Sequence, residues 1–340
     1  MIKTEKLFLL ELIFISYILI QQKNLLIAGY MLIIKKLIMK KIIIIILIIN
    51  AFNLSAQQDP QYTQYMYNMN VINPAYAGSS DATSIGILYR DQWEGLEGAP
   101  KTGTMNIHFP AGKNIGFGFS AISDEIGPVS ETNLYIDFSY TLNLNNENRL
   151  AFGLKAGGTF HDIGLIGLEL IDPNDPFFAN DINENTPNIG AGIYFYKPNK
   201  YYISVSVPNL LESVHLDYND YNIGSEFRHF FGAAGYVFDI NDNFKLKPHA
   251  FIKYASNTPV SIDLNTNLFM YDLVEFGLGY RTDDSITAMI NFMVSPSIRI
   301  GYAYDSIQSE LNLITKASHE IFINFDINFR SKVSRSPRYF

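Results

Sequence analysis

With 340 residues and no cysteine, the chain has room for one or two soluble domains or one mid-sized barrel. The missing cysteines exclude disulfides, thiolate metal sites and cysteine nucleophiles. It carries 25 basic and 33 acidic residues; residues 1–56 hold seven lysines against two glutamates, leaving 18 basic and 31 acidic in the remainder. An acidic body excludes a nucleic-acid partner, because gripping phosphates takes clustered Lys and Arg.

Read from Met39, MKKIIIIILIINAFNLSAQQ has the three parts of a secretory signal. Lys40 and Lys41 form the charged region, Ile42–Ile49 the apolar region, and Leu54-Ser55-Ala56 a small-residue cleavage site before Gln57. Eight apolar residues fall short of the roughly 20 that a helix needs to span a bilayer. The other reading of this stretch is an N-terminal membrane anchor. Residues 1–38, with a second apolar run broken by Glu11, read as an upstream extension of the gene model and 39–56 as the signal peptide.

The next stretch, 57–80, has neither a period of 2 nor one of 3.6, and it lacks Lys, Arg and Glu. Its aromatic content is too rich for a disordered linker, so it reads as an ordered irregular segment that packs its Tyr and Met side chains, as a plug in a barrel mouth would. From 81 to 330 alternating runs follow, each bounded by Gly, Pro, Asn or Asp. They fall near 82–90, 102–110, 115–123, 131–143, 148–161, 188–196, 201–207, 227–239, 244–256, 261–271, 274–281, 285–294, 298–306 and 318–329. The fold class is therefore all-β: a transmembrane outer-membrane β-barrel of about 14 antiparallel strands behind an irregular N-terminal segment. The tail 331–340 is basic and is placed in the periplasm.

Successive strand residues point to opposite faces. Leu134, Ile136, Phe138 and Tyr140 alternate with Tyr135, Asp137, Ser139 and Thr141, and Ile321, Ile323, Phe325 and Ile327 alternate with Phe322, Asn324 and Asp326. A barrel in a membrane turns the apolar set to lipid and the polar set to the lumen. On that basis Lys245, Lys247, Lys253, Asp263, Asn265, Arg281, Asn324 and Asp326 are candidate lumen-lining residues. Connection lengths carry the same message: every long connection (91–101, 162–187, 208–226, 307–317) falls on one side, and 111–114, 144–147, 197–200, 241–243 and 295–297 are short turns on the other. A bacterial outer-membrane barrel has that asymmetry, with short turns in the periplasm, and it puts both termini on the short-turn side.

No catalytic pattern is present. The six histidines show no HExxH spacing, and there is no GxSxG, P-loop or dinucleotide-binding glycine pattern. Asp181, Asn183 and Asn185 begin like a calcium loop, but Thr186 and Gly192 stand where its glycine and glutamate belong. No enzyme, cofactor or metal site is expected. Candidate partner-binding residues are Tyr62, Tyr65, Tyr67, Asn73, Pro74 and Tyr76 in the N-terminal segment, and an exposed Trp93 in the first loop.

The order of short motifs resembles the PorP/SprF family of Bacteroidetes outer-membrane proteins. It runs through Gln58-Asp59-Pro60, Gln64-Tyr65-Met66, Asn73-Pro74-Ala75-Tyr76-Ala77-Gly78, Tyr89-Arg90, Gln92-Trp93 and Gly98-Ala99-Pro100. His108 with Pro110, Asp124 with Ile126-Gly127-Pro128, Val207-Pro208-Asn209-Leu210 and Gly279-Tyr280-Arg281 follow. Last come Gly301-Tyr302-Ala303-Tyr304-Asp305, Ser318-His319-Glu320 and Ser336-Pro337-Arg338-Tyr339-Phe340, with Ala317 where the family usually has Gly. The resemblance implies a non-enzymatic barrel of the type IX secretion system and gliding machinery that helps export, retain or anchor secreted surface proteins. Its implied partners are the periplasmic ring lipoprotein and its associated subunit, adhesins with a type IX C-terminal signal, and outer-membrane lipid. Two other readings stay open: a passive, porin-like diffusion channel, and a soluble secreted adhesin.

Overall fold

The computed structural model describes residues 60–145, 147–168, 178, 180–211, 214–218, 221–225, 228–255 and 258–327. The leader, residues 57–59 and the tail 331–340 lie outside them. The strands are β1 Thr83–Asp91, β2 Lys101–Pro110, β3 Ile115–Ile126, β4 Val129–Asn143, β5 Arg149–Ile163, β6 Ile182–Lys197, β7 Tyr201–Val207, β8 Val214–Tyr218 and β9 Tyr221–Ser225. They continue as β10 His229–Tyr236, β11 Phe238–Asn241, β12 Phe244–Ala255, β13 Ser261–Met270, β14 Val274–Arg281, β15 Ser285–Ser295, β16 Ile298–Ile307 and β17 Ala317–Ile327.

Strands β1 to β7 and β11 to β17 each pair antiparallel with their sequence neighbours, and three further pairings close the sheet. The strands β1 and β17 pair from Thr83↔Ile327 to Asp91↔His319. On the far side β10 bridges β7 and β12. Val237 interrupts one stave, so β10 and β11 count as one and the wall is a closed barrel of 14 strands. Closure leaves no strand edge to be satisfied in lipid. The hairpin β8–β9 stands apart as a two-stranded sheet in the connection after β7.

The faces separate by charge. Ile136 is 62% exposed on the outside, whereas its neighbour Asp137 is fully buried inside. Leu154, Leu264 and Leu278 repeat Ile136 around the outer face, while Lys155, Asp263 and Glu275 repeat Asp137 within. Exposed Tyr89, Tyr254, Tyr280 and Tyr304 stand near the long-loop ends of their strands, and Tyr140, Tyr236 and Tyr271 at the short-turn end. They form the two aromatic girdles that flank an outer-membrane barrel's apolar band. The hydrophobic core lies in the lumen, where wall residues such as Phe251, Phe322, Tyr194 and Tyr202 cluster around Tyr65, Met66, Met69 and Ile72.

Two stretches depart from the sequence reading. Strand β6 begins at Ile182, ahead of the expected 188, because Ile182–Pro187 continue the ladder with β5 as far as Ile163. Those added residues are mostly polar and pair above the apolar band, where no alternation marks them. The second is the hairpin β8–β9 within the connection 208–226, which the sequence reading treats as a loop because its strands fall below the length that a spanning strand needs.

Candidate functional site

The lumen is occupied by the chain's own segment 60–78, folded as short turns: a 3-10 turn Tyr65–Tyr67, a one-turn helix Met69–Ile72 and a 3-10 turn Pro74–Tyr76. Pro60 and Gln61 line a vestibule of about 730 Å³ together with Gln92, Trp93, Asp283 and Glu310, all from connections on the long-loop side. At the other end Ser139 Oγ donates to the Ala77 carbonyl, and the Gly78 N–H donates to His108 Nδ1 at 3.3 Å, beside the short turns. The segment therefore crosses the barrel from the long-loop mouth to the short-turn end before β1 starts. Parity of strands alone had put the amino end on the short-turn side; the structure corrects this, because an uncounted crossing through the lumen precedes the first strand.

Buried charge fastens the segment near the mouth. Arg90 and Arg281 are each 1% exposed and share Asp305, at 2.8 and 3.4 Å. Arg281 also holds Asp263 at 2.9 Å and Asp284 at 3.1 Å, and Arg90 holds Glu320 at 3.3 Å. Into this cluster Thr63 donates its hydroxyl to Asp305 at 2.7 Å, while the Thr63 and Gln64 N–H groups donate to Glu320 at 2.8 and 2.7 Å. A buried carboxylate is tolerable only when paired and hydrogen-bonded, and here backbone N–H groups of the segment complete the set.

Deeper in, Tyr65 stacks on Phe251 and bonds His249 Nδ1 at 2.7 Å. Tyr67 donates to Glu275 and accepts from Lys247 Nζ at 2.8 Å, within a Lys247–Glu275 pair of 2.9 Å. Arg299 lies 4.6 Å over its ring, and Phe322 stacks against it. On the opposite wall Lys155 pairs with Asp137 at 3.3 Å and donates to the Val71 carbonyl at 3.1 Å, while Asn70 donates to Asp137.

The Asn73–Gly78 motif seats the exit. The Asn73 carboxamide accepts the Ala75 N–H at 2.9 Å, starting the 3-10 turn, and donates to Ser204 Oγ and to the Ile193 carbonyl. Ala75 lies so close to Gly153 that any Cβ on that glycine would overlap its backbone. Gly78 turns with φ +69° against Gly116, a conformation and a proximity that both favour glycine. Two cavities beside the segment are small, about 30 and 40 Å³, enough for a water or two each.

These contacts correct the partner-binding reading of the N-terminal residues. Tyr62, Tyr65, Tyr67, Asn73 and Pro74 are buried and Tyr76 is half-buried, so the barrel's own wall occupies them and they offer no surface to another protein. Of the candidate lumen residues, Lys247, Lys253, Asp263, Asn265 and Arg281 are buried inside, and Lys245, Asn324 and Asp326 are half-buried toward the short-turn end. Lys247 and Arg281 meet the segment directly rather than lining an open passage. Sequence reasoning missed Arg90, Glu275, Asp305 and Glu320. Each lies on the polar side of an alternating strand, and three of them sit in the motifs behind the family resemblance.

Trp93, expected to be exposed, is half-buried with φ +56°, an unusual conformation for a bulky residue. The start of β17 imposes it. Ser318 Oγ accepts the Trp93 N–H at 3.0 Å, the Ala317 carbonyl accepts the Glu94 N–H at 2.8 Å, and His319 meets Glu94 at 3.1 Å. Asp181, from the failed calcium pattern, instead accepts the N–H groups of Leu165 and Ile166.

No curated protein matches the chain at significance. Similar solved structures include the Acinetobacter baumannii outer membrane protein Omp33 (TM-score 0.43, 9% identity, covering 73% of this chain and 99% of that one). The CymD monoaromatic hydrocarbon channel gives 0.49 and 11%, covering 77% and 93%, and a Pseudomonas aeruginosa FadL homologue 0.45 and 11%, covering 77% and 94%. The family model described as type IX secretion system membrane protein PorP/SprF matches residues 54–325. The chain, an outer-membrane β-barrel, thus belongs to the PorP/SprF family of type IX secretion system membrane proteins.

Proposed function

We propose that the protein is a sealed, non-enzymatic anchor of the type IX secretion apparatus that retains or hands on secreted surface proteins at the outer membrane. The observation that carries this reading is the segment 60–78, which crosses the lumen and is held by buried charge from several strands. A diffusion channel needs a continuous wet passage, and the wall charges that would line one are engaged with the segment or with one another. With the long loops outside and the short turns in the periplasm, the loop face is where a secreted adhesin carrying a type IX C-terminal signal would be held. The short-turn face is where the ring lipoprotein and its associated subunit would dock. Export by a cleaved signal peptide and a part in gliding motility belong to the same proposal.

Conductance of the purified barrel in planar bilayers tests the seal. A silent barrel is expected; steady ohmic openings would favour the passive channel instead. Affinity purification from outer membranes tests the partners, with secretion components and a surface adhesin expected among the co-purifying proteins.

A further inference from the structure

We infer that the protein threads its own barrel so that its processed amino terminus is presented at the cell exterior, while the start of β1 and the end of β17 stay on the periplasmic side. The inference rests on the orientation given above, long loops outside. Its basis is the sequence of contacts along one short stretch. Pro60 and Gln61 share the vestibule with Trp93, Asp283 and Glu310. Thr63 and Gln64 are bound two to three residues inside the mouth, by Asp305 of β16 and Glu320 of β17. Asn70 and Val71 are bound at mid-strand by Asp137 and Lys155. Ala77 and Gly78 are bound at the short-turn end by Ser139, Gly116 and His108. The two ends of the segment thus open on opposite sides of the barrel.

Two consequences follow. The vestibule is the exit for the chain ahead of Pro60, so that end becomes an extracellular feature of the assembled protein. An apolar leader retained in the inner membrane cannot be joined to a residue at the outer mouth, so cleavage ahead of Pro60 is required. The β1–β17 seam lies beside the segment, and there Glu320 of β17 and Arg90 of β1 grip Thr63 together.

The absence of cysteine makes the test direct. Single variants Gln58→Cys, Glu310→Cys and Lys113→Cys in the full chain are labelled with a membrane-impermeant maleimide on intact and on permeabilised cells. Glu310 and Lys113 are exposed on a long loop and a short turn, and they report the orientation by themselves. Labelling of Gln58→Cys and Glu310→Cys on intact cells, with Lys113→Cys labelled only after permeabilisation, is the expected result. If Glu310→Cys labels from outside and Gln58→Cys only after permeabilisation, the threading is overturned while the orientation stands. The reverse pattern at Glu310→Cys and Lys113→Cys overturns the orientation instead. An epitope tag between Gln57 and Gln58, read with an antibody on the same cells, gives the answer on a longer arm should the single thiol be shielded. The mass of the purified barrel supplies an independent reading: a chain starting near Gln57 is expected, and an uncut leader would overturn the proposal.

Discussion

Three consecutive residues at the start of β17 do three different tasks. Ser318 fixes the strained Trp93, His319 faces outward and meets Glu94 and Tyr302, and Glu320 points inward to receive two backbone N–H groups of the plugging segment. Alternation across a strand makes this possible, because neighbouring side chains address opposite sides of the wall. Removing one partner of a buried ion pair strands the other, at a cost of about 3–5 kcal/mol. Glu320→Ala leaves Arg90 with Asp305 and the Thr63 hydroxyl and takes away the acceptor for the Thr63 and Gln64 N–H groups. Its detergent-purified barrel is expected to lose its compact, fast-migrating form on electrophoresis at a clearly lower temperature than the parent. Glu320→Gln keeps an amide oxygen for one of the two N–H groups and should fall in between. A Glu320→Ala barrel as heat-resistant as the parent would mean that this contact does not fasten the segment.

At the level of single elements, strands and their faces were legible because lipid on one side and packed polar groups on the other enforce a period of two. Ile136 and Asp137 are the sharpest case. Placing Ile136→Arg near the middle of β4 puts a charge in the apolar band, at a cost of about 2–4 kcal/mol. Membrane yield of that variant should drop, while Glu125→Arg at an exposed strand end should leave yield unchanged. Where the lipid requirement ends, so did legibility: the outer reach of β6 and the hairpin β8–β9 carry no alternation strong enough to see. The plugging segment is illegible for a different reason. Its last turn is capped by Asn73, and the segment is held by hydrogen bonds from wall side chains and by close approach to wall glycines, none of which has a period. Gly153→Val should displace Ala75, an overpacking cost of about 1–3 kcal/mol. Gly103→Val, where a Cβ meets nothing within 4 Å, is the matched control. A protease that cuts the segment in detergent-purified Gly153→Val but spares it in Gly103→Val would bear this out; equal resistance would count against it.

For the molecule as a whole, the sequence held a hint about the lumen in the residues that broke the polar pattern. Phe251, Phe322 and Tyr135 lie on inward faces among Lys, Asn and Asp, where a water-filled channel has no use for them. They are the wall's half of a core whose other half comes from residues 62–75, so the barrel is packed from within like a soluble domain while facing lipid outside. Deleting 61–77 removes that inner half and frees the wall. The strand ladder, its closing seam and the outer band are untouched, so the shortened chain should still assemble, with lower thermal stability. Arg90, Lys155, Lys247, Lys253, Arg281 and Arg299 would then share an open lumen with Asp124, Asp137, Asp263, Glu275, Asp305 and Glu320. Six buried charges of each sign among the described residues predict a pore with weak ion preference. In planar bilayers the full chain should stay silent, whereas the deleted form should open in discrete ohmic steps with a reversal potential near zero in a salt gradient. A deletion that assembles yet stays silent would show that the wall closes by itself, and the seal would no longer belong to the segment.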